Sequence, residues 1–324
     1  MRAIQIEAFG DPAAIGVSHI DPPPAPGPGQ VRLEVSGVGV GYFDGLLIRG
    51  DYQIRPDLPF VPGSSLAGIV ESVGAGVTHV KPGDAVAAFA LHGGMAEQIL
   101  LPASSCAPLP PGIEPLKAAN FFISWATSLF GLREIGRLAE GETVLVLGAA
   151  GSTGTTAIEC AKALGARVIA CASTEAKRRH CLDHGADLAV DYTGEGWRDE
   201  VKRATGKRGV DVVYDPVGGD SSEAALRLIA PGGRFLVVGF VTGIGSIPLN
   251  LPLLKRCSIH GVNWGGTVMA DPGVVAPVIR TLAEWTLRGS IDPTPTRVFE
   301  LEQAGAAFAA LFGRESSGSL VIRP

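Results

Sequence analysis

Two patterns of hydrophobic and polar residues follow one another along the 324-residue chain. Up to about residue 117, short stretches of alternating apolar and polar residues are separated by turns rich in Gly and Pro, which is typical of short β-strands. From about Thr143, apolar runs of strand length alternate with segments whose apolar residues recur at helical spacing. Repeated strand–helix units with apolar strands predict a parallel sheet that is covered on both faces.

The first pattern predicts a compact β-rich lobe. Its strands are expected in QVRLEVSGVGV (30–40), LAGIVESVG (66–74) and DAVAAF (84–89). The first long helical pattern comes afterwards, in residues 115–136. The chain ends in GSLVIRP (318–324), a strand that we expect to return to the first lobe and to make that lobe discontinuous in sequence.

The second pattern predicts five further strands after the strand TVLVLG, and helices between them. The strands are expected in RVIACAS, ADLAVDY, VDVVYDPVG, GRFLVVGF and CSIHGVNW. The helices are expected in GTTAIECAKALGA, TEAKRRHCLDHG, EGWRDEVKRATG and SSEAALRLIAPG. The predicted fold class is therefore α/β, with a β-rich lobe in residues 1–117, a doubly wound parallel sheet in 118–263 and a return to the first lobe in 264–324.

The amino-acid composition and the net charge limit the kinds of binding partner and the cellular compartment that we expect. The net charge of −5 argues against general attraction to nucleic acid or to anionic membranes. The apolar runs are too short for a membrane span, and the N-terminus lacks the apolar core of a signal peptide. Five scattered cysteines, an odd number without a CxxC pair, predict reduced thiols in the cytoplasm.

The stretch LGAAGSTG (147–154) joins a predicted buried strand to a predicted helix. The N-terminus of a helix suits a pyrophosphate, because its first N–H groups lack partners within the helix and its dipole is positive there. We therefore predict a dinucleotide-binding turn, in which the hydroxyls of Ser152 and Thr153 are good helix caps. Glycines also occur in such turns for packing alone. The predicted cofactor-binding residues are Ala150, Gly151, Ser152, Thr153 and Gly154.

The end of the next strand indicates which dinucleotide binds. An NAD site usually carries an acid there, but this chain has Ser173 followed by Lys177, Arg178 and Arg179. A small hydroxyl and nearby cations favour the additional 2′-phosphate of NADPH. Alternatively, the three cations form one solvated face of a helix. Tyr192 either stacks near the adenine or covers the end of the sheet.

The whole chain resembles the medium-chain dehydrogenase/reductase superfamily, whose members pair a GroES-like β-rich lobe with a Rossmann lobe. The similarity is carried by GVGVGYFDGLLIRGDY, PFVPGSSLAGIVESVGAGVTHVKPGDAV, GGMAEQILLP, VLVLGAAGSTGTTAIECAKALGARVIA, GVDVVYDPVGG and PLNLPLLKRCSIHGVNWGG. Zinc-dependent members have Cys at the position of Gly41 and a His-Glu pair at Ser64 and Ser65, so we expect no metal. Among zinc-free members, the chain is most similar to NADPH:quinone oxidoreductases of the zeta-crystallin type.

This resemblance implies further site residues. Ser173, Lys177 and Tyr192 match contacts to the adenosine phosphate end of NADPH, and Thr127 matches the threonine that approaches the nicotinamide. Three more positions match cofactor contacts of the family: Gly239, Phe240 and Arg314. The resemblance also implies a homodimer formed through the last strand of the nucleotide lobe, near SIHGVNW.

Two tyrosines are the candidate catalytic residues. Tyr52 matches a proton-donating tyrosine of related enoyl reductases, or it is an aromatic residue that only lines the site. Tyr42 is either a second donor or a bulky wall, and Asp44 is expected to bond the backbone of its own turn. Gly41 stands where quinone reductases commonly have Asn, which puts the usual quinone activity in question.

The predicted function is transfer of hydride from NADPH to a quinone or an α,β-unsaturated carbonyl. The alternatives are a pathway-specific reductase of an enone, iminium or enoyl thioester, and a protein that binds NADPH without turnover.

Overall fold

The β-rich part and the strand–helix part of the chain fold as separate units in the computed structural model, which describes residues 1–324. The first unit consists of Met1–Ser124 and Pro272–Pro324, and the second of Trp125–Asp271. The unit boundaries therefore lie a few residues after the predicted ones at 117 and 263. At the second boundary the difference arises because a helix, Trp264–Ala270, belongs with the nucleotide unit.

The first unit is built on a seven-stranded sheet with a separate two-stranded sheet beside it. Its strands are β1 (Arg2–Ile4), β2 (Val17–His19), β3 (Gln30–Gly39), β4 (Ser65–Val73), β5 (Ala85–Phe89), β6 (Gln98–Pro102), β7 (Cys106–Pro108), β14 (Arg297–Glu300) and β15 (Leu320–Arg323). The larger sheet has the order β14-β15-β3-β4-β5-β7, and β6 also pairs with β3. The helices of this unit are α1 (Tyr42–Arg49), α2 (Pro115–Ala118), α10 (Val275–Leu287) and α11 (Ala304–Phe312).

The end of the chain returns to the first sheet as predicted. Strand β15 pairs with β3 in antiparallel direction, with Val321 opposite Gly39 and Ile322 opposite Val38. Both chain segments contribute to one hydrophobic core, which contains buried side chains such as Leu33 of β3, Leu66 of β4 and Phe308 of α11. Their burial is what holds the discontinuous unit together.

The second unit contains six parallel strands in the order β10-β9-β8-β11-β12-β13. They are β8 (Thr143–Val146), β9 (Arg167–Cys171), β10 (Leu188–Val190), β11 (Val210–Asp215), β12 (Ile229–Val237) and β13 (Ser258–Gly261). The helices are α3 (Ala126–Leu129), α4 (Ser152–Ala163), α5 (Glu175–Asp183), α6 (Trp197–Ala204), α7 (Asp220–Leu226), α8 (Asn250–Lys255) and α9 (Trp264–Ala270). This strand order is that of dinucleotide-binding sheets, which confirms the predicted Rossmann fold.

The structure corrects three predicted elements. Helix α1 begins after Gly41 in a region where no helix was expected. Strand β12 begins at Ile229, inside the segment predicted as helix, because Ile229 and Ala230 are buried beside β11. The long helical pattern at 115–136 includes two π-helical stretches, Phe121–Trp125 and Phe130–Ile135, which periodicity alone does not reveal.

The helices are short throughout both units. The longest α-helix, α10, has 13 residues. No helix combines the length and the apolar composition that crossing a membrane would require.

Candidate active site

The predicted phosphate turn joins β8 to α4 within the second unit. Gly151 is the N-cap of α4, and no side chain caps the helix, so the expected capping by Ser152 or Thr153 is wrong. Both hydroxyl residues lie instead in the first helical turn. The first N–H groups of a helix have no partners within the helix, so the turn presents the kind of backbone donors that bind a pyrophosphate.

The glycines of this turn have different physical roles. A Cβ at Gly154 would lie 2.6 Å from Cα and 2.7 Å from the carbonyl carbon of Ala149, so the helix approaches the turn too closely for any side chain there. Gly148, which sequence reasoning missed, has a φ of +54°, and a Cβ there would lie 2.6 Å from Val217. A Cβ at Gly151 would meet only the Gly148 oxygen, at an ordinary 3.4 Å. The fold therefore requires Gly148 and Gly154 but not Gly151.

The three cations after β9 have different surroundings. Lys177 lies in the first turn of α5, where its backbone N–H donates to the capping hydroxyl of Thr174. The Arg178 guanidinium pairs with Asp191 at 3.0 Å and also donates to the Ala172 carbonyl. Arg179 pairs with Asp183 on the exposed face of the same helix. The hypothesis of one solvated cationic face therefore describes Arg179, whereas Arg178 ties α5 to the ends of two strands.

Tyr192 and Ser173 lie at the same edge of the second unit's sheet. Tyr192 follows β10 and is half-buried, with its ring edge-on to Trp197 at a centroid distance of 6.5 Å. Ser173 follows β9 and is also half-buried. Because parallel strands β9 and β10 end side by side, the two residues are placed next to the N-terminus of α5.

Asp215, which the sequence analysis did not single out, joins two loops at the carboxyl ends of β11 and β12. Its buried carboxylate accepts hydrogen bonds from the N–H groups of Val217 and Gly218 and from the Ser222 hydroxyl. Its carbonyl accepts from the N–H of Gly239, one of the predicted cofactor residues. Phe240 follows and is 52% exposed. In the sequence, the acidic residue of the YDPVGG motif was the signal that could have identified this role.

Helix α3, which carries Thr127, is fastened to the phosphate turn by a buried hydroxyl network. The Ser128 hydroxyl lies 2.7 Å from that of Thr156 and 3.1 Å from that of Tyr214, and it also donates to the Thr153 carbonyl. Burial raises the pKa of the Tyr214 hydroxyl above its usual value, so this group stays neutral. The network fixes the residue next to Thr127 against the first turn of α4.

The two candidate catalytic tyrosines lie in the first unit and are half-buried. Tyr42 is the first residue of α1, and its ring is 4.9 Å from that of Phe312 at the end of α11. Tyr52 follows α1 and packs edge-on against Phe43, with ring centroids 4.7 Å apart. Arg314 is exposed in a left-handed backbone conformation, two residues after α11. The rings of both tyrosines are thus held by aromatic contacts.

Asp44 is fully buried in the first turn of α1, the helix that Tyr42 begins. Its carboxylate accepts hydrogen bonds from the Gly41 N–H at 3.1 Å and the Ser64 hydroxyl at 2.7 Å. Burial raises its pKa to about 6, although these donors act in the opposite direction. The bond to Gly41 agrees with the backbone-bonding role expected from the sequence.

Comparison with known proteins identifies the family. Residues 27–111 match the family model for the alcohol dehydrogenase GroES-like domain, and residues 152–284 match that for zinc-binding dehydrogenases. The chain is 36% identical to quinone oxidoreductase-like protein 2 of Rattus norvegicus over 308 residues, which are 94% of this chain and 88% of the relative. The chain belongs to the quinone oxidoreductase family of medium-chain dehydrogenases/reductases.

Other members and relatives of this quinone oxidoreductase family extend the comparison. The crystal structure of Escherichia coli quinone oxidoreductase complexed with NADPH superposes over 100% of both chains with a TM-score of 0.91 and 27% identity. The NADPH in that structure supports the cofactor predicted here. A phthioceranic/hydroxyphthioceranic acid synthase of Mycobacterium tuberculosis is 32% identical over 321 residues, which are 98% of this chain and 15% of the synthase.

In this chain, the residues at the positions where zinc-dependent relatives have their ligands do not fit a catalytic zinc ion, although one matching family model is named for zinc. The Ser64 hydroxyl is bonded to Asp44, and the Ser65 hydroxyl donates to the Ala119 carbonyl at 2.7 Å. Gly41 has no side chain that could serve as a zinc ligand. No group of three or more His, Cys, Asp or Glu side chains converges anywhere in the structure. Zinc sites are built from three or four such ligands.

Proposed function

We propose that this chain is an NADPH-dependent reductase that transfers hydride to a quinone or to an α,β-unsaturated carbonyl, without zinc. The observation that carries the proposal is the phosphate turn, in which Gly154 can only be glycine and α4 begins without a side-chain cap. Lys177 and Ser173 at the neighbouring strand end favour the 2′-phosphate of NADPH, since an NAD site would carry an acid there. The family and the NADPH of its Escherichia coli member support the same assignment.

NADPH would supply the hydride. The protein would bind and orient the cofactor and the acceptor, and it would supply the proton. The N–H groups at the start of α4 would hold the pyrophosphate, while Lys177 and Ser173 would hold the 2′-phosphate. Thr127, fixed through its neighbour Ser128, would lie along the nicotinamide. The Tyr52 hydroxyl would donate the proton that a reduced enone requires at carbon. Gly239, Phe240 and Arg314 would complete the contacts to the cofactor.

An acceptor panel tests this function. Purified protein is mixed with NADPH or NADH and with 1,4-quinones, enones or enoyl thioesters, and loss of the reduced nicotinamide absorbance is followed. We expect consumption of NADPH, and much less of NADH, with at least one quinone or enone. Tight NADPH binding without consumption on any acceptor would instead favour a protein that binds NADPH without turnover.

A second candidate is a reductase specific for an enoyl thioester or a related pathway intermediate. Two observations favour it: Gly41 in place of the usual Asn, and the similarity to a segment of a mycobacterial acid synthase. A Cβ at Gly41 would lie only 3.1 Å from the Asp44 carboxylate, so a side chain there would require that carboxylate to shift. In the same panel, turnover of enoyl thioesters with quinones inert would decide for this candidate.

We also propose a homodimer formed through β13. This strand is at the edge of its sheet, and exposed apolar side chains lie on it and on the chain segment that precedes it. They are Ile244, Leu249, Leu253, Leu254 and Ile259. Ile259→Glu is expected to give monomers in light scattering, whereas Leu182→Glu, at an exposed position on α5, is expected to leave the dimer intact. A monomeric parent protein would refute the proposal.

We propose a cellular compartment for the protein from the state of its cysteine thiols. All five cysteines are free, and four are buried. Such a set suits a reducing compartment, so we propose the cytoplasm. Fractionation of cells that express the protein would contradict this if the protein were recovered outside the cytoplasmic fraction.

A further inference from the structure

Two polar contacts connect helices α4 and α5 in the second unit. The Thr155 hydroxyl lies 3.0 Å from Nε2 of His180, and Oε1 of Glu159 lies 2.6 Å from Nδ1 of His184. The members of each helix are four residues apart, so each pair of side chains projects from one helix face. The two imidazole rings are also in contact with each other, with centroids 4.3 Å apart. We call these four residues the interhelix ladder.

The ladder is largely shielded from water on the α4 side. Thr155 is 5% and Glu159 is 7% exposed. Burial and the neighbouring His184 lower the pKa of His180 to about 4, with Asp183 acting weakly in the opposite direction, so the His180 ring is neutral near pH 7. Removal of a histidine would leave a buried partner on α4 without this contact, and removal of Thr155 would leave the half-buried His180 ring without its bond to α4.

One end of the ladder reaches the phosphate turn. The Thr155 hydroxyl is within 3.4 Å of the Ala149 carbonyl, and the Thr155 N–H donates to the carbonyl of Gly151 at 2.8 Å. Thr155 therefore belongs to the first turn of α4, directly behind the proposed pyrophosphate site. The side of Thr155 that faces α5 is occupied by His180.

The other end of the ladder lies on the helix that carries Lys177. His180 is three residues after Lys177, so the two side chains are neighbours on adjacent turns. Two arginines of α5 make polar contacts elsewhere: Arg178 bonds to Asp191 after β10 and to the Ala172 carbonyl after β9, and Arg179 bonds to Asp183 within the helix. These contacts do not reach α4, whereas the ladder does.

We propose that the interhelix ladder positions Lys177 relative to the phosphate turn and thereby sets the preference for NADPH over NADH. The inference rests on the proposed function, because it requires Lys177 to contact the 2′-phosphate. Thr155, Glu159, His180 and His184 act as positioning residues, since none of them needs to touch the cofactor. NADH, which lacks the 2′-phosphate, should be insensitive to where Lys177 lies.

Binding measurements on matched variants test the ladder. Thr155→Val removes the hydroxyl at nearly constant shape, Thr155→Ser restores it, and Arg179→Ala breaks an exposed ion pair on the same helix. Dissociation constants for NADPH and NADH are measured by calorimetry. Loss of this partly buried hydrogen bond predicts NADPH binding about fivefold to tenfold weaker in Thr155→Val, with NADH binding changed less than about twofold. Thr155→Ser and Arg179→Ala are expected to bind both cofactors like the parent.

A double-mutant cycle separates positioning from general damage to the fold. In a Lys177→Ala background, Thr155→Val is expected to have no further effect on NADPH binding, because the residue that it positions is gone. Equal loss of NADPH and NADH, unchanged binding, or additive effects in the cycle would each overturn the inference. If the parent protein itself shows no preference for NADPH, the proposed function fails together with the inference; if the preference is present and survives Thr155→Val, only the inference fails. His180→Leu, which removes the imidazole that contacts the Thr155 hydroxyl, provides a second disruptive variant should Thr155→Val fold poorly, and it is expected to weaken NADPH binding with NADH binding nearly unchanged.

Discussion

The cofactor region of the second unit and the tyrosine region of the first unit are built by different means. The phosphate turn is a backbone structure in which eight consecutive residues, Leu147–Gly154, contain the bend and the helix start. The tyrosine region depends on side chains that are far apart in sequence, such as Tyr42 and Phe312. The first site therefore depends on the positions where only glycine leaves room for the backbone, whereas the second depends on which side chains meet from distant parts of the chain.

The largest effect is expected from Gly154→Ala, which tests the phosphate turn of the cofactor region. The new Cβ would lie within 2.7 Å of the Ala149 backbone, so the turn or the helix must move. We expect the free energy of unfolding of the second unit to fall by about 3 kcal/mol, and NADPH affinity to fall by roughly a hundredfold. Thermal unfolding and calorimetry measure the two effects.

Gly151→Ala is the matched control for that prediction. Its Cβ meets the protein only at an ordinary contact distance, so stability without cofactor should be unchanged. Binding should still weaken, because a methyl group at this position stands where the pyrophosphate approaches the backbone. A Gly151→Ala protein that binds NADPH normally would show that the cofactor does not lie against this turn.

This contrast also explains which parts of the molecule could be predicted from the sequence. Strand β8, the turn and helix α4 follow one another, and their pattern of apolar and glycine residues is local. Helix α1 was missed because its buried residues face partners from α11, such as Phe308 and Phe312, that are distant in the chain. Likewise, the bond of Arg178 to Asp191 depends on the alignment of β9 with β10, which no spacing along the chain reveals.

A pH-dependent stability effect is expected in the tyrosine region, through Asp44. Burial raises its pKa from 3.8 to about 6 in the folded chain, so between these values the folded state binds more protons than the unfolded state. The free energy of unfolding should therefore fall as the pH rises from about 4 to about 6, by about 3 kcal/mol in total for this group. Urea unfolding of the parent and of Asp44→Asn across this range measures it. A difference between the two proteins that does not change with pH would contradict the prediction.

Lys177→Ala tests whether one side chain at the edge of the cofactor region determines the preference for NADPH over NADH. A charge-assisted hydrogen bond to phosphate is worth about 2 kcal/mol, so NADPH should bind roughly thirtyfold more weakly while NADH binding is nearly unchanged. Arg179→Ala is the control, because Arg179 is on the same helix and already pairs with Asp183. A matched loss for NADPH and NADH would rule out a contact between Lys177 and the 2′-phosphate.

The smallest effect is expected from Tyr52→Phe, which keeps the packing against Phe43 and removes only the hydroxyl. Reduction of an enone requires a proton at carbon, and a positioned donor accelerates that step, whereas a reduced quinone can take its protons from water. We therefore expect kcat for enones to fall by about tenfold, since water replaces part of the donor's contribution, and kcat for quinones to change by less than about twofold. Because the same variant serves both substrates, any general disturbance of the ring appears in both rates. An equal decrease would show that Tyr52 only lines the site, and its contribution to the reaction would then be shape and not a proton.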